Sequence, residues 1–491
     1  MSPLSHRLLR NGVLNLPRAS PASKPLAEAL LLQDAQYHHC QFNQAGFHNH
    51  LSHQSIRYFR LIILAAYDLG APPALLQKIY DEEARIQRPI ILEEKDKEMK
   101  ITEDNWTQYL GNQNAYNGFV AFFEHQVASA GVVKTLEKFI FSSSANEKGK
   151  VMLARLMSGA VHPFIQVGYG LEFGNDALVS TGLAMTAVHT SLSPELFDFE
   201  NPNPSAGLSV LEILELLYKS PTLQPPLPYD PNALFNARLK ATVKDGKADE
   251  IRELCSKFHV DESLGNAEMM SKIEELIWTS VLLMFATGKP GRKPRLDFFL
   301  MHLVTSSLFL RSFVGVLENP THKATIIKAF LPVMLQLVLA RGRPIIKPHL
   351  LLEATDKPRP PYVSSSPYKT GERSIGSPLN DDDYNPWPAL IEASLYSTDS
   401  HLLKTMRTLV LATRDYGDTP PGSVIGAFKQ YTENVSKEET HPAVAKVDGS
   451  IFVRAAGMLM DYMGWTSYGQ LEREDWDRSA LGWDDAWKNE D

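Results

Sequence analysis

The sequence contains only two cysteines, Cys40 and Cys255, among 491 residues. So few cysteines exclude a disulfide framework and a Cys-X-X-Cys zinc site, and they fit a reducing compartment. Long apolar runs are also missing, because the longest, at residues 330–340, is shorter than the ~18 residues that a membrane span needs. Residues 1–20 lack the apolar core of a secretory signal. These absences predict a cytoplasmic protein with no membrane partner.

Basic residues do not cluster in any one stretch, and the formal net charge is −8. The chain therefore lacks the electrostatic footprint of a nucleic-acid-binding protein. Motifs typical of serine hydrolases, zinc proteases and P-loop proteins are also missing. Hydrophobic residues make up 44% of the chain, which is enough for a large buried core. The length allows about two to four domains' worth of mass.

Apolar residues recur at helical spacing along most of the chain, whereas alternating, strand-like runs are scarce. In residues 52–69, one helix face carries an apolar stripe that ends at Gly70. The same periodicity predicts helices over residues 208–217, 273–285, 296–310, 325–339 and 389–411. We therefore predict a mainly α protein, built as one large helical body with long irregular connections.

Proline, serine and charged residues mark two irregular connections, at residues 220–231 and 356–383. No internal repeat is evident, so a solenoid is not predicted. The predicted organisation is an N-terminal tail over residues 1–30, a helical catalytic domain over 31–470 and an acidic tail over 471–491. Three tryptophans in the last segment favour docking of that tail on its own domain.

Four histidines lie in apolar, helix-like stretches that are far apart in the sequence: His50, His162, His302 and His401. Lys404 follows the last of them by one helical turn. A buried imidazole must satisfy both ring nitrogens, and a buried ammonium is costly unless it is paired or neutralised. Several such residues from separate helices indicate a shared partner in the core, and a metal ion is a common partner for imidazole.

The spacing of His401 and Lys404 puts both side chains on one helix face, with Asp399 as the candidate N-cap. Burial favours the neutral form of a lysine amine. A neutral amine can react with carbon dioxide to form a carbamate, which is an oxygen ligand. The alternative is a lysine that extends to solvent beside a hydrogen-bonded histidine. Spacing alone favours this alternative.

The other histidines also have structural interpretations. His48 and His53 are alternatives to His50 as the candidate ligand. All three histidines could instead lie at a polar helix start. His162 precedes Pro163, which predicts a helix break where the imidazole turns inward or caps the break. His302 lies among apolar residues, where a lone histidine is usually a core residue bonded to a carbonyl.

An aromatic block in the first third of the chain predicts core packing, with binding of a flat polycyclic substrate as the alternative. Its members are Trp106, Tyr109, Tyr116, Phe119, Phe122 and Phe123. Gly168 and Gly170 resemble part of a dinucleotide fingerprint, but the preceding strand and the third glycine are missing. A bound flavin or a conventional nicotinamide site is therefore not predicted.

Several strings resemble the questin oxidase-like family of fungal polyketide pathways. They are FHNHLSHQSIRYFRLIILAAYDLGAP, LMSGAVHPFIQVGYGLEFGND, the MH of FFLMHLVTSSLFL, and DSHLLKTMRTLVLATRDYG. The resemblance implies an oxidoreductase that opens anthraquinone-type rings. For one branch of this family, the resemblance also implies a non-haem iron bound by four histidines and a carboxylated lysine. These ligands would be His50, His162, His302, His401 and Lys404 in this chain.

We therefore expect an iron-dependent oxygenase, a dioxygenase that cleaves a C–C bond of an anthraquinone-type polyketide. Its cofactor would be Fe(II), and its partners would be a small aromatic substrate and dioxygen. The alternative enzyme is a Baeyer–Villiger-type monooxygenase that uses NADPH as reductant on the same substrates. The alternative outside catalysis is a helical scaffold or polyketide-binding protein. The long helices could also supply the face of a homodimer.

Overall fold

Helices dominate the chain, as predicted from its apolar periodicity. The computed structural model describes residues 4–43, 59–85, 87–89, 99–198, 207–361, 371–378, 381–430, 438–472 and 476–488. Within these ranges, the named strands form one antiparallel pair, His38–Asn43 with Gln87–Pro89. In its register, His38 is opposite Pro89 and Asn43 is opposite Gln87. The prediction of a mainly α protein with a single helical body is confirmed.

The helices fall into three groups by type and position. The α-helices of the first half are Ser23–Tyr37, Phe59–Asp68, Pro73–Ala84, Tyr116–Ala130, Val132–Leu136, Ser143–Asn146, Met152–Leu156, His162–Phe173, Asp176–Val188 and Val210–Lys219, with a π-helical turn at Glu137–Phe141. Those of the second half are Phe235–Ala241, Lys247–Ser256, Gly265–Phe285, Phe298–Ser307, Leu310–Val316, Pro320–Ala340, Pro348–Leu352, Trp387–Leu395, Ser400–Tyr416 and Ile451–Met463. Short 3-10 turns lie at Trp106–Tyr109, Gln113–Ala115, Pro194–Phe197, Glu262–Leu264, Val444–Lys446, Thr466–Tyr468 and Asp484–Trp487.

The helix Phe298–Ser307 lies in the core, and all of its residues are buried. It packs against Gly265–Phe285, Pro320–Ala340 and Ser400–Tyr416. A helix that is covered on every side is apolar all round rather than amphipathic. Any polar side chain on this helix must therefore find its partner inside the protein.

Most predicted helices are present, with ends shifted by a few residues. Of the helix predicted over residues 52–69, the structure describes Phe59–Asp68, residues 52–58 lie outside the described residues, and Leu69 is in a turn. The periodic stretch 389–411 is not one helix, because Trp387–Leu395 ends before Asp399 caps the next helix. The connection at residues 220–231 and the described part of 356–383 contain neither helix nor strand.

Two apolar helical segments are long enough to cross a membrane by length and composition. They are residues 298–316, which include a turn between two helices, and the helix Pro320–Ala340. In each segment, 83% of the most apolar window is buried inside the protein. Core helices of soluble proteins pass the same test, so these two segments are weak evidence for a membrane span.

The N-terminal segment is attached to the helical body through two buried carboxylates. Asp68 accepts hydrogen bonds from the backbone N–H groups of Leu14 and Asn15, at 3.1 and 2.7 Å. Glu172 accepts one from the backbone of Val13 at 2.7 Å. This part of the predicted tail therefore belongs to the folded body. The domain boundaries that composition suggests stay predictions.

Candidate active site

His302 lies in the first turns of the central helix Phe298–Ser307. The side chain of Asp297 caps this helix by accepting hydrogen bonds from the backbone of Phe299 and Leu300, at 2.9 and 3.2 Å. The imidazole is only 1% exposed, and its Nδ1 lies 2.8 Å from the carbonyl oxygen of Phe298. Because a carbonyl can only accept, Nδ1 carries the proton, and the Nε2 of the neutral ring has a lone pair.

His162 begins the helix His162–Phe173 immediately after a left-handed turn. The φ angles of Gly159, Ala160 and Val161 are +59°, +53° and +59°. A non-glycine residue in this region costs on the order of 1–3 kcal/mol, and a β-branched one is rare there. The turn directs His162 inward, where it is 5% exposed. The predicted helix break is present, but it lies at residues 159–161, and His162 is already helical although it precedes Pro163.

The imidazoles of His162 and His302 face each other. Their Nε2 atoms are 3.0 Å apart, and the ring centroids are 4.9 Å apart with an interplanar angle of 76°. The two residues are 140 positions apart in the sequence. The fold thus brings two imidazole nitrogens from separate helices to one buried point.

His401 lies beside this pair, at the start of the helix Ser400–Tyr416. Asp399 caps the helix, as its spacing predicts, by accepting hydrogen bonds from the backbone of His401 and Leu402 at 2.8 Å each. The ring of His401 is 1% exposed, and its centroid is 5.5 Å from that of His302. Neither ring nitrogen of His401 has a hydrogen-bond partner among the described residues. We call His162, His302 and His401 the histidine cluster.

The environment of His401 keeps its imidazole neutral. Burial is the main cause of a pKa well below the usual value of 6.5, and nearby Lys404, His302 and His162 lower the pKa further. Lys404 follows by one helical turn and is 7% exposed. A neutral imidazole is the form that binds a metal ion.

The histidine cluster has the donor chemistry of a cation site. An imidazole–metal bond is about 2.1 Å long, so two nitrogens bound at right angles are about 3.0 Å apart. This value agrees with the 3.0 Å between the Nε2 atoms of His162 and His302, although the same distance suits an N–H···N hydrogen bond. A ligating histidine usually donates its second ring N–H to a carbonyl or carboxylate, as His302 does to Phe298.

The complete set of five predicted ligands is not visible. In the part of the chain that the structure describes, no group of three or more His, Cys, Asp or Glu side chains is placed so that it could hold a metal ion. The ring centroid of His401 is 5.5 Å from that of His302, farther than the His162 ring is. His50 and the alternatives His48 and His53 lie outside the described residues. The roles of His50, His162, His302, His401 and Lys404 as metal ligands therefore stay predictions. Among the described donors, the pair of His162 and His302 fits such a role, because their Nε2 atoms are 3.0 Å apart.

A cavity of about 130 Å³ opens next to the histidine cluster. Its polar lining residues include His162, His189, Ser191, Ser193, Asn236 and Gln336. Phe298 also lines it, and the Phe298 ring centroid is 4.8 Å from that of His302 and 5.3 Å from that of His401. An apolar cavity of about 150 Å³ holds one benzene molecule, so this cavity matches one aromatic ring in size. A polycyclic substrate would extend beyond it.

His189 is a cavity residue that the sequence did not single out. It is 5% exposed and forms the C-cap of the helix Asp176–Val188. The available signal was a histidine directly after an apolar helix and before the polar string TSLS. That signal is too common to identify a functional residue.

The aromatic block and the two glycines serve packing. Phe122 and Phe123 contact Phe139 edge to face, each at 5.4 Å between centroids. A Cβ on Gly168 would lie 2.5 Å from the side chain of Phe309, and one on Gly170 would lie 2.7 Å from Val179. The glycines therefore allow helices to approach closely, which explains their pattern without a nucleotide.

The C-terminal segment forms one wall beside the histidine cluster. The backbone of Asp477 pairs with the chain just before the His302 helix, donating to the carbonyl of Leu296 and accepting from the N–H of Phe298, each at 2.8 Å. The indole N–H of Trp476 donates to the capping carboxylate of Asp399 at 3.1 Å. The Trp476 ring is 1% exposed, and its centroid is 6.5 Å from that of His401. The expected docking of the acidic tail is therefore observed in its described part.

We expect Trp476→Ala to lower both stability and the activity of the folded protein. Truncation of a buried tryptophan costs about 3–5 kcal/mol, and here it also leaves a void beside the His401 ring. Trp487→Ala is the matched control, because Trp487 is also buried, in a separate small cluster with Leu481 and Ala486. Both variants should unfold at lower denaturant concentration, but only Trp476→Ala should lose turnover per folded molecule. Equal turnover of the two variants would contradict the role of this wall.

The model of the questin oxidase-like family matches residues 47–409, which is more than half of the chain. Baeyer–Villiger monooxygenase dmxR6 of Cryptosporiopsis sp. is 26% identical over 322 residues, covering 64% of this chain and 69% of the relative. Baeyer–Villiger oxidase ptaJ of Pestalotiopsis fici is 29% identical, with 59% and 63% covered. Questin oxidase of Aspergillus terreus is 26% identical, with 60% and 64% covered, so the chain spans less than two thirds of these last two relatives. The chain belongs to the questin oxidase-like family.

Proposed function

We propose that the protein is a non-haem iron oxygenase that cleaves a C–C bond in an anthraquinone-type polyketide ring. The observation that carries this proposal is the 3.0 Å approach of the His162 and His302 Nε2 atoms, with neutral His401 beside them. Oxidoreductase chemistry is supported by relatives that are named oxidases and monooxygenases. The cofactor would be Fe(II), and the substrates would be a small aromatic polyketide and dioxygen, in the cytoplasm.

Four of the described residues would bind the metal. His162, His302 and His401 would each offer one imidazole nitrogen, and Lys404 as a carbamate would offer an oxygen from the same helix as His401. His50 would complete the set. Ferrous iron, when bound, would supply the one-electron chemistry that allows dioxygen to react with a closed-shell aromatic ring.

The chain itself would position the substrate. Phe298 lies at the boundary between the cavity and the histidine cluster, in contact with both. An aromatic ring in the cavity would therefore lie next to His162 and Phe298, within a lining that contains both apolar and polar side chains.

The second candidate is a Baeyer–Villiger monooxygenase that uses NADPH, and the names of two relatives favour it. That reaction inserts one oxygen atom of O₂ beside a ring ketone and reduces the other to water, with NADPH and a proton consumed. A dioxygenase keeps both oxygen atoms in the product and needs no reductant. Consumption of NADPH for each O₂ therefore separates the two reactions. A polyketide-binding protein without catalysis would consume neither.

The test combines metal analysis of the purified protein with an oxygen electrode, using questin as the probe substrate. We expect roughly one iron per chain and questin-dependent O₂ uptake that does not need NADPH. Chelation should abolish the uptake, and Fe(II) but not Zn(II) should restore it, because zinc has no redox chemistry. Uptake that survives chelation and oxidises NADPH in proportion would overturn the iron proposal in favour of the second candidate.

A further inference from the structure

The cavity runs from the protein surface to a buried inner end. Thr190, which is exposed, and Asn236, which is half-buried, both line it, and we call this side the rim. His162 and Phe298 also line the cavity, and they are only 5% and 2% exposed. A ligand that enters from the rim therefore ends against an imidazole and an aromatic ring.

Phe298 separates the cavity from the two deeper histidines of the cluster. Its ring centroid is 4.8 Å from that of His302 and 5.3 Å from that of His401. Neither of these histidines is among the described residues that line the cavity, whereas Phe298 is. The Phe298 ring is therefore the part of the wall that stands between a ligand in the cavity and these two imidazoles.

Several contacts hold the Phe298 ring in place. The backbone N–H of Phe298 donates to the carbonyl of Asp477 at 2.8 Å, which fixes the start of the helix. The guanidinium of Arg478 lies over the Phe298 ring, 4.3 Å from its centroid. Phe299 contacts the same ring edge to face, at 5.3 Å between centroids. A ring packed on several sides does not move aside for a ligand without a cost in packing, so it forms a firm inner wall.

The size of the cavity limits what fits in front of this wall. Its volume is about 130 Å³, close to that of the apolar cavity of about 150 Å³ that holds one benzene molecule. One ring of a fused polycyclic ligand can therefore reach the inner end. The adjoining rings must remain toward the rim, where polar side chains and water are present.

We propose that Phe298 is a specificity-determining residue that limits the cavity to one terminal ring of a fused aromatic ligand. A ligand would need one terminal ring without bulky substituents, and its other rings could carry larger groups because they stay at the rim. This inference rests on the proposed oxygenase for the identity of its substrate. The depth to which a ring enters does not depend on the metal, so it can be measured separately.

The test compares the binding of phenol and 2-naphthol to the full chain after chelation, with Kd measured by calorimetry. The ratio of the phenol Kd to the 2-naphthol Kd reports how far the second ring is buried. In the wild type we expect a ratio of about three, because the second ring stays partly in water. Phe298→Ala should raise this ratio about tenfold, because the enlarged cavity then takes up the second ring. Phe298→Leu, which removes less of the ring, should raise it about threefold if the alanine variant does not fold.

Two further variants test the location of the ligand and the effect of a lost phenylalanine. Leu239 lines the cavity and is half-buried, so Leu239→Trp should fill the space and abolish binding of both ligands. Phe313→Ala removes a buried ring that stacks on Phe164 at 4.8 Å and is not among the described lining residues, and it should leave the ratio unchanged.

The outcomes of these measurements are distinct from those of the oxygenase test. A ratio that rises in the Phe298 variants supports the inner wall even if the protein has no oxygenase activity. An unchanged ratio in a folded Phe298 variant would overturn the proposal. So would an equal rise in Phe313→Ala, or binding of both ligands that survives in Leu239→Trp.

Discussion

Replacing Lys404 with methionine is expected to abolish oxygenase activity and weaken metal binding while the protein remains folded. The lysine stem is enclosed, with 7% exposure, and methionine has a similar length but no amine that could form a carbamate. Activity should fall at least about a hundredfold, the upper end of the effect seen when groups that support a metal site are lost. Because methionine buries no charge, the unfolding midpoint of the chelated protein should stay or rise. Turnover, iron content and denaturant unfolding measure the three effects.

Lys404→Arg tests whether activity needs a carbamate at this position or only a positive charge. Arginine keeps the charge but does not form a carbamate, so we expect this variant to be as inactive as Lys404→Met. Lys347→Met is the matched control, because Lys347 is a half-buried lysine whose ammonium donates to the carbonyl of Gly288. The control should keep its iron and its activity. Carbon-13 NMR with labelled bicarbonate should show a carbamate signal that only the Lys404 variants lose, and an active Lys404→Arg enzyme would refute the carbamate.

Replacing Arg407 with methionine is expected to destabilise the protein by about 3–5 kcal/mol, the cost of leaving buried charges without their partner. Arg407 lies two turns after His401 and pairs with Asp68 at 2.8 Å and with Glu172. The three side chains are 0–2% exposed. The pKa of Arg407 is raised despite burial, because both carboxylates favour its charged form. Its removal leaves two carboxylates in the core.

Denaturant unfolding at neutral pH measures this loss. Arg414→Met is the control, since Arg414 also contacts the N-terminal segment, at the carbonyl of Val13, but is half exposed. Its unfolding free energy should stay within about 0.5 kcal/mol of the wild type. Adding Asp68→Asn and Glu172→Gln to Arg407→Met should recover much of the stability, because neutral side chains need no countercharge. No recovery would mean that packing of Arg407, rather than its charge, matters most.

Local signals in the sequence predicted the parts of the site that depend on neighbouring residues. Asp399 was identified as a cap because an aspartate preceded an apolar helix, and its carboxylate accepts two backbone hydrogen bonds there. The break before Pro163 is predicted from the restriction that proline places on the preceding residue, but the structure has it at the left-handed residues 159–161, and His162 itself is helical. His162, His302 and His401 were selected because they occur in apolar surroundings, and the fold brings them together.

The remaining features depend on contacts between distant segments, which periodicity does not contain. The apolar periodicity at residues 389–411 continues through the gap between two helices, because each of the two helices buries an apolar face. His189 becomes noticeable only when the fold places Gly159 against its ring and His162 in the lining of the same cavity. Likewise, nothing near Asp477 in the sequence indicates pairing with Leu296, and only the assembled body aligns the two segments.

The wall built by Trp476 and Asp477 has a practical consequence for anyone who divides this chain. The family match ends at residue 409, inside the helix Ser400–Tyr416. A fragment trimmed at that boundary would keep every proposed ligand but would expose the apolar side of His401 and free the edge next to Leu296. Such a fragment should aggregate when expressed. Its loss of activity would then reveal nothing about the proposed metal ligands. Fragments of this chain therefore need limits that follow the folded body rather than the family match.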